Sequence, residues 1–447
     1  MLVFFMQVND VINNLIWGVP GLILILFTGL FLTVKLKFFQ FFYLGFFIRN
    51  TVFENFNFDK SSLGELKSFK AAMVSVSAMV GSGNIAGVAT AVVLGGPGAL
   101  FWMIIAALIG MATKFTEICL SMKYRLIEYG EYKNGGPMYY FERRLGYKWL
   151  GVLYAVFTLF YAFVITAIVD SNTISLSFYD FFGIETWITG VVLALFTAAV
   201  ILGGVKQIGN VCNALAPFMA FAYLFSGFFI IILNIELLPD ALILIVKSAF
   251  NPAAYTGGTV GTIMVAMRYG ISRGIFSNDA GLGVAGIIHA SAKNNNPVRQ
   301  AIWGPVEVLI DTILICGMSG IIIVLSGLWN KGLDGGSLAV SAFESLLPGF
   351  GQYICIFALF FFGFSCIISF YVYVEKAGKY LFKDRGVLFL KILWILMVFI
   401  GSQSTLGFVW NLADTVNGLM MIPNLITLAY LSNEVVELKN AYFNSRK

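Results

Sequence analysis

The 447-residue chain is poor in charge, in histidine and in paired cysteine. Only 11% of its residues are Asp, Glu, Lys or Arg, whereas water-soluble domains run near about a quarter. Such a chain cannot present a mostly solvated surface. Its one histidine, His289, stands without a cluster of metal-ligand residues and reads as a satisfied interior side chain. The five cysteines, Cys119, Cys212, Cys316, Cys355 and Cys366, lie singly in apolar stretches with no CxxC pair, so they read as small core residues rather than disulfide or metal ligands. One histidine and dispersed acids supply neither a nucleophile with its base nor a metal cluster, which excludes an enzyme. No cofactor is expected.

What the chain has is hydrocarbon: 59% of it is hydrophobic, with 44 phenylalanines. Eleven apolar stretches, 12–34, 69–94, 98–122, 149–179, 186–203, 210–234, 261–290, 301–327, 353–380, 387–402 and 405–431, have lengths suited to helices crossing a hydrocarbon layer of about 30 Å. The expectation is an all-α polytopic membrane protein with the lipid bilayer as solvent. The first stretch has no basic segment before it and no small-residue cleavage site after it, and is read as a retained helix.

A formal charge of +5 could suggest a nucleic-acid partner, but its placement argues otherwise. With the N-terminus outside, 23 of the 28 Lys and Arg residues fall on the cytoplasmic side: six from Lys35 to Lys70, six from Lys123 to Lys148, Lys206, Lys293, Arg299, five from Lys376 to Lys391, and three at the cytoplasmic C-terminus. This is the positive-inside pattern of a multi-pass cell-membrane protein, and no nucleic acid is implied.

Spans two to six and seven to eleven form two blocks of five, and an odd number of crossings gives the blocks opposite topology. Residues 1–68 are then an extra N-terminal helix with a cytoplasmic connector, its Phe-rich part lying along the membrane surface. Residues 69–234 are the first inverted repeat, 235–260 an external connector, 261–433 the second repeat and 434–447 a cytoplasmic tail. Each repeat opens with a glycine-interrupted stretch, Val80-Gly81-Ser82-Gly83-Asn84 in the first and Ser277-Asn278-Asp279-Ala280-Gly281 in the second. Glycine clusters expose backbone groups, which hydrocarbon tolerates only beside protein or a water-filled cavity. Glycines used only for helix packing need no polar neighbours, whereas these have Asn84, Ser277, Asn278 and Asp279. Two broken helices around one midplane binding site are expected.

The runs Gly95-Gly96-Pro97-Gly98-Ala99-Leu100-Phe101-Trp102-Met103, Gly135-Gly136-Pro137-Met138-Tyr139-Tyr140 and Arg273-Gly274-Ile275-Phe276-Ser277-Asn278-Asp279-Ala280-Gly281 resemble the signatures of the alanine or glycine:cation symporter family. The resemblance spans about residues 10 to 435. It implies a leucine-transporter-like five-plus-five fold, with eleven transmembrane helices in all, and inward movement of a small neutral amino acid with sodium. Free backbone N–H groups of Ser82 and Gly83 are then candidates to hold the substrate carboxylate. The Gly-x-Gly-Asn order at 81–84 is similar to that of neurotransmitter:sodium symporters, which nominates the carbonyls of Ser77, Met79 and Val80, with Asn84, as oxygen ligands for sodium.

The segment Phe362 to Tyr371 resembles the part of the family that completes the ion site and pocket, with Cys366 where threonine is usual and Phe370 where tryptophan is usual. Ser365 then inherits the ion role. Phe276, Ser277, Asn278, Cys366 and Phe370 are expected to line the substrate pocket. Asp170 stands where the family has a neutral Gln, and three readings are open: contact with a cation in the site, a structural pair with Arg268 or Arg273, or a proton-coupled acid. A different or cationic amino acid, or proton coupling, follows from the first and third, and a channel is the remote alternative.

Overall fold

The computed structural model describes residues 9, 11–53, 65–128, 131–251, 263–404 and 407–445. Parts of the expected segments lie outside the described residues: most of 1–10 and all of 54–64 in the N-terminal unit, 129–130 in the first repeat, the end of the connector 235–260, the starts of spans 261–290 and 405–431, and the last two residues of the tail.

The chain folds into helices, joined by short loops and two small strand pairs. Among the described residues, five stretches are long and apolar enough to cross a membrane: Gly98–Lys123, Lys148–Phe182, Gly204–Leu233, Pro297–Ser326 and Gly351–Ser402. A sixth arises if Asp414–Tyr430 and Ser432–Asn444, bent by 59°, are taken together. Val19–Lys35, Ala86–Gly95 and Thr186–Ile201 are apolar but shorter. Large apolar side chains such as Phe221, Leu195 and Phe389 face outward, as lipid contact requires.

Local chemistry sets the helix ends. The helix Pro297–Ala301 starts where the Asn296 side chain accepts from Val298 N–H at 3.0 Å and Arg299 N–H at 3.1 Å, with Pro297 in the first turn, where its missing N–H costs nothing. The stretch it opens ends at Gly327, whose φ of 65° is left-handed. Ile263–Asn278 packs directly on Gly98–Lys123, since a Cβ on Gly270 would stand 2.2 Å from the Ala99 carbonyl oxygen.

Three connections carry more structure than their composition announced. Within 35–70, the helices Phe39–Phe42 and Leu44–Ile48 do not all lie on the surface: Phe39 and Phe47 are buried, and Phe39 stacks 4.4 Å from Phe115. The helix Leu238–Phe250 ends against the earlier span Gly98–Lys123, where Trp102 Nε1 donates to Ala249 O at 3.1 Å. The segment after residue 431 is the helix Ser432–Asn444, and its Glu434 accepts from Lys123, Tyr124 and, at 2.6 Å, Arg144 Nε. Partial burial pushes the Glu434 carboxyl up, but those donors outweigh it and bring it from 4.5 to about 2. A depressed pKa means that this anchor is fully present above pH 4.5 and is lost as pH falls towards 2. Glu434→Gln, which mimics the protonated form, is expected to raise amide hydrogen exchange across Ser432–Asn444 at neutral pH. Unchanged exchange, read by mass spectrometry, would show that the helix is held elsewhere.

Candidate functional site

Both expected breaks are present. The first broken helix runs Ser68–Met79, bends at Val80 and Gly81, makes one 3-10 turn at Ser82–Asn84, and resumes as Ala86–Gly95. The second runs Ile263–Asn278, turns through left-handed Asp279, Gly281 and Gly283 at φ 57°, 100° and 86°, and resumes as Val284–His289. A non-glycine residue at positive φ is uncommon, and Asp279 is held there by its side chain: Tyr161 OH donates to its Oδ1 at 2.7 Å.

Two spans lose α geometry beside these breaks. Lys148–Phe182 contains a π segment at Ala162–Asp170, and Pro297–Ser326 contains another at Leu309–Cys316. Such bulges rotate side chains out of the α register and recur at functional sites. Each bears one buried aspartate turned to a break.

Asp311, on the second π segment, bridges both. Its Oδ1 accepts from Asn84 Nδ2 at 2.6 Å, and its Oδ2 accepts from Ser277 Oγ and Thr312 Oγ1, each at 2.7 Å. Asn278 Nδ2 donates to Thr312 Oγ1 at 3.0 Å, completing the cluster. Asp170, on the first π segment, accepts at Oδ1 from Ser82 N–H at 3.2 Å and from the Ser82 hydroxyl.

The expected residues separate around this frame. Asn84 Oδ1 accepts from Gly81 N–H at 2.9 Å, so the side chain caps the break while its Nδ2 reaches Asp311. Met79 O accepts from Gly81 N–H at 3.0 Å; Ser77 and Val80 are buried beside it. Cys366 faces the first break: its Sγ donates to Ala78 O at 3.0 Å, and a Cβ on Gly81 would stand 3.0 Å from that sulfur. Ser365 is turned away from the break: its hydroxyl lies 3.0 Å from Phe362 O on its own helix and 3.3 Å from Met219 Sδ on Gly204–Leu233, and donates to one of the two. Phe276 lies over Gly83, where a Cβ would stand 3.2 Å from the ring. Phe370 packs its ring, tilted by 50°, 5.5 Å from that of Tyr161, which links it to Asp279 and the second break.

One reading of Asp170 is corrected. Arg273 pairs with Asp414, Nη1 to Oδ1 at 2.8 Å and Nη2 to Oδ2 at 3.1 Å, and Arg268 reaches Asn13 at 3.4 Å, so the structural pair with Asp170 is not formed. A bidentate match to Asp414 satisfies the guanidinium better than a single carboxylate a helix away. His289 is an interior residue as expected, with Nε2 bonded to Glu307 at 2.7 Å and Nδ1 to Gln300 at 2.8 Å.

Several residues were missed from the sequence. Besides Asp311 and Thr312, Lys114 is fully buried between the breaks, donating to Asn278 O at 2.6 Å and to Met79 Sδ, with Glu307 at 3.8 Å. Glu117 accepts from Gly281 N–H and from Asn424 Nδ2, both at 2.8 Å, and so holds the second turn open. The signal was the one used for Asp170: an ionisable residue inside an apolar stretch.

Contacts gather at both ends of the site. At one, the strands Leu66–Lys67 and Ala292–Lys293 pair in parallel, Lys376 bonds Glu65 at 2.7 Å, and Arg125 holds the carbonyls of Ala290, Ala292 and Asn294 at 3.1, 2.9 and 2.5 Å. At the other stand Arg273–Asp414 and, beneath the guanidinium at 5.8 Å, the ring of Phe276.

Two broken helices meeting across buried polar side chains, inside a helical membrane-type bundle, have the arrangement of an integral-membrane transporter. The fold is similar to that of MhsT in complex with L-phenylalanine, with a TM-score of 0.59 at 13% identity over 83% of this chain and 89% of that one. An Eremococcus coleocola manganese transporter gives 0.52 at 15% identity over 83% and 82%. The chain belongs to the sodium:alanine symporter family, whose model matches residues 2–447. It is 42% identical to an uncharacterized transporter of Haemophilus influenzae over 99% of this chain and 97% of that one. It is 41% identical to the sodium/alanine symporter AgcS of Methanococcus maripaludis over 99% and 98%. With the probable sodium/glutamine symporter GlnT of Bacillus subtilis the identity is 36% over 99% and 91%.

Proposed function

We propose that this protein is a sodium-coupled symporter that brings a small amino acid, alanine or glycine, into the cell by alternating access. The observation that carries the reading is Asp311, a buried carboxylate ringed by Asn84, Ser277 and Thr312 between the two breaks. These groups are hard oxygen donors once their hydroxyls and amide rotate, which suits a small monovalent cation, and the carboxylate supplies its countercharge. The carbonyls of Ser77, Met79 and Val80 complete the proposed ligand set; Ser365, turned to Met219, leaves it. Beside the ion, Ser82 and Gly83 offer backbone N–H groups to the substrate carboxylate, and Phe276, Asn278, Cys366, Phe370 and Asp170 wall the pocket. Walls formed by the rings of Phe276 and Phe370 suit a short side chain such as that of alanine, or none, as in glycine.

In this reading the chain crosses the membrane eleven times, with the N-terminus outside, the C-terminus in the cytoplasm and a five-plus-five inverted repeat after the first helix. The contacts of Glu65, Lys376 and Arg125 are the cytoplasmic gate, and Arg273–Asp414 with Phe276 the outer one. The family name and the names of the relatives AgcS and GlnT support sodium as the coupling ion. A cationic substrate is the second reading, favoured by the carboxylate of Asp170 at the break.

Uptake of radiolabelled alanine and glycine into proteoliposomes tests the proposal. Replacing external sodium by choline at fixed pH is expected to reduce initial uptake at least about tenfold, the loss of about 1.4 kcal/mol of coupling. Equal uptake in choline overturns sodium coupling, and preferential uptake of lysine selects the cationic substrate.

A further inference from the structure

At the first break a protein carboxylate occupies the place proposed for the substrate's own. Ser82 opens the 3-10 turn, and both of its donors, the backbone N–H and the hydroxyl, are given to Asp170 Oδ1. Asp170 is buried and closely surrounded: a Cβ on Gly81 would stand 3.5 Å from Oδ1, and one on Gly363 would stand 3.7 Å from the Asp170 Cβ. Among the described residues no Lys or Arg forms an ion pair with it. It stands at the end of the π segment Ala162–Asp170, a break in α geometry of the kind that recurs at functional sites.

Two carboxylates cannot share one set of donors in a buried site, because their repulsion is screened little there. A substrate carboxylate that takes Ser82 must therefore displace Asp170. The displaced carboxylate then needs a cation, since a buried charge without a partner is strongly unfavourable. An α-amino acid carries that cation one carbon from the carboxylate it inserts, whereas a monocarboxylate of the same size carries none.

We propose that Asp170 makes the site selective for zwitterions over monocarboxylates: it fills the carboxylate cradle of the substrate-free carrier, and after displacement by the substrate's carboxylate it accepts the substrate's ammonium. This rests on the amino-acid reading of the same site. Self-occupation also lowers the apparent affinity for every substrate, because only the fraction of carriers with Asp170 turned away is competent to bind. Selectivity arises from a penalty built against the wrong ligand as much as from attraction to the right one.

Alanine and propionate, which differ by the amino group, test this on the purified full-length carrier in sodium, with binding read by thermal stabilisation and by competition against radiolabelled alanine. Wild type is expected to bind alanine and not propionate. Asp170→Asn is expected to weaken alanine and to gain propionate binding, each by about tenfold, the scale of one charge-assisted hydrogen bond. Ser82→Ala keeps the backbone N–H but removes one hold on Asp170, and is expected to tighten alanine by a few-fold. Alanine bound alike by wild type and Asp170→Asn, with propionate bound by neither, overturns the inference alone. So does weaker alanine binding in Ser82→Ala, which would place the hydroxyl on the substrate instead. Neither alanine nor glycine binding to wild type would overturn the amino-acid reading itself, and this inference with it.

Discussion

Asp311→Asn is expected to leave a folded carrier whose activation needs much more sodium. The substitution keeps the shape of the side chain and its bonds to Ser277 and Thr312, but removes the countercharge between the breaks. A bond from a charged group contributes about 1.5–3 kcal/mol, which at about 1.4 kcal/mol per decade weakens sodium by about 10- to 100-fold. Alanine uptake as a function of sodium concentration, with melting temperature as the control for folding, provides the measurement. A mutant with wild-type sodium activation would remove Asp311 from the ion site.

Glu307→Ala is the substitution expected to cost most in stability. Glu307 is fully buried and receives Ser75 Oγ at 3.0 Å, contacts His289 at 2.7 Å, and lies 3.8 Å from the equally buried Lys114. It thus ties the first half of one broken helix, through Ser75, to the second half of the other, through His289. Alanine takes from the buried Lys114 ammonium its carboxylate partner at 3.8 Å, and breaking a buried pair in this way costs about 3–5 kcal/mol. A melting temperature near that of wild type would contradict this account. The double substitution Lys114→Met with Glu307→Ala is expected to recover part of the loss, because it removes the stranded charge, and a thermal double-mutant cycle measures that coupling.

Much of the helical framework was legible residue by residue. Apolar length located the helical stretches, and Gly81, Gly83, Gly281 and Gly283 located the breaks, because both signals report costs paid locally: transfer of apolar surface, and the helix-breaking freedom of glycine, which Gly281 and Gly283 use to turn left-handed. Partners were less legible. Asp170 was flagged as a charge at bilayer depth, yet its partner proved to be Ser82 and not an arginine. Asp311 carried the same signal and passed unnoticed, since its contacts to Asn84 and Ser277 lie 227 and 34 residues away.

The sequence by itself determined that this chain is helical, belongs in a membrane and breaks two of its helices at polar glycine-rich turns. Those properties follow from composition and from short-range sterics, which act within a few residues. Only the tertiary structure decided which buried charges meet. It set the π segments that turn Asp170 and Asp311 to the breaks, gave Arg273 to Asp414, turned Cys366 rather than Ser365 to the first break, and set Lys114 between the two. A buried charge has few partners strong enough to offset its desolvation, and which one it reaches depends on how distant helices pack, a quantity no local stretch of sequence contains.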